Sequence, residues 1–429
     1  MTTRITFRPP FRPDIVGSLS KKEGSHLFHK ANFIGNFVRK TFFFQQAKNY
    51  HCQKPINKTT NLNNPHTSFW NAEFPDLKYP KQTAIKEHFD VFDQYVTLTV
   101  GERTMKLKCR IIESKNCPKQ GAFNHFLVQG TTSTLENNIH GVYPFLESYI
   151  KAKESNNAIA PGRFIIFNHY DNKIQKNPQA QDAPYLPGDM DEWGFMFKKT
   201  LESLTNYYGK FQLASAHSLG NIPLIACLDH MKDEEFKKLF PTTLFLAHGP
   251  SSLREVSKNV PFQWGVYPKG WFYVVGLIMY FLAKWTGWTT EPDKILVQKL
   301  KHIKQLDPNN LTKTNIVISK VKHDFFFPGQ VSLAESKKLD QLKGVVNLYR
   351  LSFDFHHSVL HRNAHHDCPS GSFQRLDLIK EKLLLENKEE VVNSSHPREI
   401  FQPPKNHPLM MAHGETLATT VIRSALATS

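Results

Sequence analysis

The chain has 429 residues, 40% of them hydrophobic and 12% aromatic, which is enough to bury a substantial core in one large domain with extensions or in two to three ordinary domains. A formal charge of +16 and a pI near 9.4 favour anionic surfaces. No Cys/His finger spacing or aromatic ribonucleoprotein signature accompanies that charge, so specific nucleic-acid recognition is not expected.

The N-terminus, MTTRITFRPPFRPDIVGSLSKKEG, carries arginines and prolines where a signal peptide needs an apolar run. The expectation is a cytoplasmic protein, or one exported without a cleaved signal peptide. Residues 1–85 read as a basic, partly irregular extension: the first 80 hold twelve basic residues against four acidic ones, half of the whole chain's excess. Five cysteines (Cys52, Cys109, Cys117, Cys227 and Cys368) are odd in number and lack any C-x-x-C spacing, so separate reduced thiols are expected.

Over Gln94 to Glu113 the hydrophobicity alternates with period two on either side of Gly101-Glu-Arg-Thr104, which predicts a β-hairpin with Lys106, Lys108 and Arg110 on its polar face. Asn124 to Gln129 is a short apolar run, and a helix follows with Val142, Phe145, Leu146, Tyr149 and Ile150 on one face. Arg163 to Phe167 reads as a buried strand. A helix carrying Trp193, Phe197, Leu201, Leu204 and Tyr208 ends at Gly209. Phe211 to Ser215 and Thr242 to Ala247 are further strands. This rhythm predicts an α/β protein, a mostly parallel central sheet flanked by helices through right-handed βαβ units.

Residues 251–311 interrupt the rhythm. Their centre, Trp271 to Ala283, is uncharged for 13 residues, short of the roughly 20 that a spanning helix needs. It reads as an apolar helix in a helical cap insertion over the site, with 271–288 also suited to contact with a membrane surface. The sheet resumes with a strand over Asn315 to Lys320, a helix over Val331 to Leu342 and a last strand over Gly344 to Leu351. The expected domains are therefore the extension 1–85, the first part of the core 86–250, the cap 251–311, the second part of the core 312–370, and a C-terminal helix and tail 371–429, the helix lying near 376–390.

The chemistry centres on Ala216-His-Ser-Leu-Gly220, set between a strand and a helix. Small residues two places either side of Ser218 allow strand and helix to approach closely, which is what a nucleophile elbow requires. A serine hydroxyl needs a base, itself oriented by a third group. The candidates follow in the order Ser218, then Asp324 past a later strand, then a histidine past the last one. His356, His357 and His361 all lie there. His217 reads as a packing residue beside the serine, and His125, His169 and His248 as structural.

The stretch from about residue 90 to 365 resembles an α/β-hydrolase of the serine esterase/lipase type. It has the opening hairpin, a strand ending in Gln129-Gly130-Thr131, the elbow, the cap insertion, Ser319-Lys-Val-Lys-His-Asp324 with Pro328 beyond, and the terminal histidine. The resemblance implies Ser218 as nucleophile, Asp324 as the orienting acid and His357 as base, with His356 or His361 as the alternative base. It implies an oxyanion hole from the main-chain N–H of Leu219 and of Thr131 or Gly130.

The function expected is cleavage of carboxylic esters through an acyl-enzyme, without cofactor or catalytic metal. The apolar, Trp-rich insertion and the positive charge point to a lipid or other hydrophobic acyl ester, and to an anionic membrane surface as a partner. Two other readings stand beside it. One is an inactive α/β-hydrolase fold serving as a binding or host-interaction module. The other is a zinc-dependent hydrolase built on the His356–His366 cluster, where His357, His361 and His365 would share a helical face.

Overall fold

The computed structural model describes residues 12–25, 27, 87–130, 135, 139–167, 172–185, 187–254, 256, 277–278, 281, 290–309, 311, 313–321, 331–353, 398–399, 421–422 and 425–426. In chain order the strands are β1 (Ile15–Ser18), β2 (Phe89–Val100), β3 (Arg103–Ser114), β4 (Phe123–Val128), β5 (Gly162–Phe167), β6 (Lys173–Gln175), β7 (Ala183–Pro184), β8 (Leu213–His217), β9 (Thr243–Ala247), β10 (Asn315–Val321), β11 (Asn347–Phe353) and β12 (Arg398–Glu399). The helices are α1 (Lys21–Gly24), α2 (Ile139–Ser155), α3 (Met190–Tyr208), α4 (Asn221–Ala226), α5 (Asp233–Leu239) and α6 (Pro292–Leu306).

All the strands join one sheet, in the order β1-β2-β3-β5-β4-β8-β9-β10-β11-β12, with β6 and β7 attached at β3. From β5 through β11 every neighbouring pair is parallel. The hairpin of β2 and β3 is antiparallel, and β3 pairs antiparallel with β5. The two hairpin strands meet across Gly101-Glu102, where Gly101 takes φ +59° as tight hairpin turns demand.

The parallel strands are covered on both sides, which explains why they read as continuous apolar runs. Along β4, Phe126 and Val128 enter one core while Phe123 and Leu127 enter the other. Helices α3, α4 and α6 contribute to the first core through residues such as Phe197, Leu201, Leu224, Ile225, Leu296 and Leu300. Helix α2 covers the second with Val142, Phe145, Leu146 and Tyr149, joined there by Val421, Ile422 and Ala425 near the C-terminus. Asp189 caps α3 by accepting from the Glu192 N–H at 2.8 Å, and Gly209 ends it at φ +90°.

Four expectations change. The segment over Val331 to Leu342 is not an α-helix but two 3-10 turns, Leu333–Glu335 and Lys337–Leu342. Leu333, Ser336, Leu339 and Leu342 are all buried, and their spacing of three matches a 3-10 period, not 3.6. The last strand starts at Asn347, because Gly344 turns the chain at φ +74°. The hairpin's charged residues divide: Lys106 is half-buried beside Asp182, whereas Arg110 and Lys108 are both buried because β3 lies inside the sheet. Both pair with the buried Asp93, which accepts from Arg110 Nε at 2.8 Å and lies 3.0 Å from Lys108 Nζ.

The fourth change lies in the N-terminal stretch. Residues Ile15–Ser18 add a parallel edge strand to β2, with Ile15, Leu19 and Leu27 in the core. Arg12 pairs with Glu113 and lies over the Phe92 ring, while Glu23 pairs with Lys199 at 2.5 Å. Helix α6, grouped by sequence with the cap insertion, packs its Leu296, Val297, Leu300 and Ile303 into the first core. Among the described residues Cys109, Cys117 and Cys227 are free thiols; burial pushes Cys117 up to about 11 and the other two higher. The expected 376–390 helix lies outside the described residues, as does most of the 271–288 stretch.

Candidate active site

Strand β8 runs directly into a 3-10 turn, Ser218–Gly220, and then into α4. Ser218 sits at that junction with φ +52°, one of three non-glycine residues at positive φ among those described. A side chain in this region is strained by roughly 1–2 kcal/mol, a cost that persists only where the surroundings over-determine it. Here they do. A methyl group on Gly220 would lie 2.7 Å from the Gln129 carbonyl oxygen and 2.8 Å from that of Val128, so only glycine lets α4 start against the end of β4. Ala216, two residues before the serine, is buried in the first core and small enough to fit.

Gly130 approaches the serine from the neighbouring strand. A methyl group there would stand 3.0 Å from Ser218 Cβ and 3.5 Å from its Oγ. Gly130, the last described residue after β4, thus lies beside the serine side chain, where one end of an oxyanion-binding loop belongs. Leu219 occupies the second position of the 3-10 turn, at a helix start, where main-chain N–H groups are not consumed by the helix itself. Ser218 itself is buried, at 7% exposure.

A strand order of 1-2-4-3-5-6-7-8, with strand 2 antiparallel, runs from β2 through β11, and a strained serine follows its fifth strand. The fold is that of the α/β-hydrolases. The strand register across this α/β-hydrolase sheet levels His217 with Ala247, Ala247 with Ser319, and Ser319 with Leu351. The carboxyl ends of β8, β9, β10 and β11 thus share one edge, where ligands bind in open parallel sheets. Asp324 lies three positions beyond the end of β10, and His357 four beyond the end of β11. Asp324, His357, His356, His361 and Thr131 lie outside the described residues, as do His169 and the rest of the His356–His366 cluster. Among the described residues no group of three or more His, Cys, Asp or Glu could hold a metal ion.

The other histidines divide. His125 is fully buried on β4, its Nε2 2.5 Å from Ser215 Oγ, with its ring edge-on to Phe145 and Phe164. Burial holds its pKa down to about 3, so it stays neutral. This serine–histidine couple is sealed within the core, away from solvent. His248 takes φ +49° just after β9, and its ring lies edge-on to His217 at 6.0 Å, beside the elbow.

Two residues were missed in the sequence. Asn221 hides among apolar neighbours in α4, yet its Nδ2 donates to the Ser218 and Ala247 carbonyls at 2.7 and 2.9 Å. A lone polar residue in Asn221-Ile-Pro-Leu-Ile-Ala226 was the available signal. Arg110 reaches the end of the candidate oxyanion loop, donating from Nη1 to the Leu135 carbonyl at 2.7 Å. Its burial could not be read from a hairpin that alternates as if one face were wet.

No family model matches the chain, and no curated protein matches it. Among solved structures it is similar to an esterase of Pyrococcus furiosus, at 12% identity over 72% of this chain and 94% of that one, with a TM-score of 0.38. It is also similar to an esterase of Pyrobaculum calidifontis, at 10% identity over 84% and 97%, with a TM-score of 0.39. A fungal esterase from Rhizomucor miehei matches at 12% identity over 81% and 97%, with a TM-score of 0.35.

Proposed function

We propose that the chain is a serine hydrolase that cleaves carboxylic esters through an acyl-enzyme. The observation that carries this reading is Ser218 at φ +52° with Gly130 drawn against its side chain. A fold tolerates such strain where it aims a hydroxyl, and a nucleophile elbow is the known use of it. In this mechanism His357 accepts the Ser218 proton as Oγ attacks the ester carbonyl, and Asp324 orients the imidazole. The main-chain N–H groups of Leu219 and of Thr131 or Gly130 hold the oxyanion. The protonated His357 then passes its proton to the departing alcohol, and water, deprotonated by the same base, releases the acid and restores Ser218.

The register supports these partners. Level with Ser218 along the shared edge come His248, Lys320 and Ser352, so Asp324 and His357 follow four and five residues above that level. With strands about 4.8 Å apart, β10 and β11 lie roughly 10 and 14 Å from β8, distances that loops of this length span.

For the substrate we propose a hydrophobic acyl ester presented at an anionic lipid surface. Leu277, Ile278 and Phe281 are helical and 40%, 52% and 58% exposed, an apolar face that suits an interface. No helix among the described residues is long and apolar enough to cross a membrane.

The test is hydrolysis of p-nitrophenyl esters of increasing acyl length by wild type, Ser218→Ala and His357→Ala, with and without vesicles of anionic lipid. Loss of turnover in both variants and a preference for longer chains support the reading. Folded wild-type protein that neither hydrolyses any ester nor reacts with a fluorophosphonate refutes it and leaves a binding module of the same fold.

A further inference from the structure

Asn221 is fully buried, and its amide joins the ends of two neighbouring strands. One carbonyl it serves belongs to Ser218 itself. The other belongs to Ala247, immediately before His248. Among the described residues at this edge, Ser218 and His248 have positive φ, +52° and +49°. One side chain thus ties together the two points where adjacent parallel strands make left-handed turns.

The amide's orientation is not incidental. Its two carbonyl partners require the NH2 group to face them, and among the described residues Oδ1 finds no donor. A buried acceptor left without a hydrogen bond is costly, so this arrangement gives up one bond to keep two. Gly249 leaves the amide its place, for a methyl group there would lie 2.6 Å from Asn221 Cγ and 2.7 Å from Nδ2.

We propose that Asn221 is a positioning residue for the nucleophile, an inference that rests on the reading of Ser218 given above. By holding the Ser218 carbonyl toward the end of β9, it fixes the peptide plane that follows Ser218. That plane carries the Leu219 N–H, so one contact sets both the direction of Oγ and one oxyanion donor. The Asn221 main-chain N–H also donates to the Ser218 carbonyl in the 3-10 turn, and the side chain adds the tie to the Ala247 carbonyl that the turn itself does not supply.

Three proteins test it: wild type, Asn221→Leu, which keeps the volume without the donors, and Gly249→Ala, which displaces the amide with its chemistry intact. The readouts are the rate constant for fluorophosphonate labelling of Ser218 per folded molecule, and kcat and KM on one p-nitrophenyl ester. Misplacing a reacting group slows chemistry on the order of 10- to 100-fold. The expected result is a fall of that size in labelling rate and kcat for both variants, with KM little changed. A purely structural role would lower the folded fraction and the melting temperature but leave the rate per folded site at the wild-type value, and that outcome overturns the proposal. A wild type that fails to label overturns the hydrolase reading and this proposal together. A labelled wild type with an equally reactive Asn221→Leu overturns the positioning role alone.

Discussion

The α-carbon of Gly220 lies so near the carbonyl of Gln129 that a single methyl group would come within 2.7 Å of that oxygen. Both partners are main chain, so neither can swing aside. Gly220→Ala must push α4 away from the end of β4, and overpacking of this kind costs about 1–3 kcal/mol. The expected outcome is a lowered denaturant midpoint, together with loss of fluorophosphonate labelling in the protein that remains folded. A Gly220→Ala variant with wild-type stability and labelling would mean that the elbow tolerates a wider gap.

Ser218 offers a separation of stability from activity. Ser218→Ala keeps the left-handed strain, whereas Ser218→Gly relieves it, since glycine adopts φ +52° without steric penalty. Both variants should be inactive. Ser218→Gly should nonetheless be the more stable of the two by about 1 kcal/mol, after its greater unfolded-state entropy is offset against the strain. Urea unfolding of the pair decides it; equal or reversed stabilities would remove strain from the description of the elbow.

Arg110 and Asp93 form a buried pair at the hairpin, with Arg110 reaching on to the Leu135 carbonyl. Removing Arg110 leaves the buried Asp93 with Lys108 alone and the Leu135 carbonyl without its donor, a loss that approaches the about 3–5 kcal/mol of a broken buried pair. Arg110→Met is therefore expected to lower stability strongly. The double variant Arg110→Met with Asp93→Leu should recover much of the loss, except for the Lys108 contact to Asp93. Thermal melts of the three proteins check this, and a double variant less stable than the single would contradict it.

His125 gives a pH dependence with a defined sign. Its folded pKa is held near 3 by burial, below the ordinary value of 6.5, so the unfolded chain takes up a proton that the native state refuses. Its contribution to stability is complete above pH 6.5 and is lost progressively as pH falls toward 3, by up to about 1.4 kcal/mol per pH unit. His125→Asn should start from a lower stability at pH 8 but decline less steeply between pH 6.5 and 4. Parallel slopes in denaturant titrations would show that His125 is not the group responsible.

The N-terminal edge strand makes a further case. Deleting residues 1–27 strips β1 from β2, takes Ile15, Leu19 and Leu27 from the core and removes the Glu23 partner of Lys199. The bared edge of β2 is a template for pairing with another chain. A lower melting temperature and concentration-dependent aggregation are expected in light scattering. A monomeric deletion variant melting with the full chain would make β1 dispensable.

Much of this architecture was legible in the chain itself. The apolar runs at Asn124 to Gln129, Arg163 to Phe167, Thr242 to Ala247 and Asn315 to Lys320 are strands within a residue or two of the expected positions, because a strand covered on both faces must be apolar along its length. Small residues around Ser218 announced the elbow for an equally local reason: strand and helix cannot meet closely around larger ones. Periodicity failed where the local pattern was ambiguous. Over Val331 to Leu342 the spacing of three at Leu333, Ser336, Leu339 and Leu342 fits a 3-10 period, and their burial in the fold shows that this period prevails.

What tertiary structure alone decided are the long-range partners. No local pattern tells that Arg110 is buried against Asp93, that residues 15–18 lie beside residues 96–99, or that Asn221 bridges the carbonyls of Ser218 and Ala247. Each depends on which strands become neighbours, and strand order is a property of the whole chain. Sequence sets the period, the small residues and the order of candidate groups along the chain. The fold sets which of them meet, because burial and hydrogen-bond satisfaction are settled only once the sheet has closed around them.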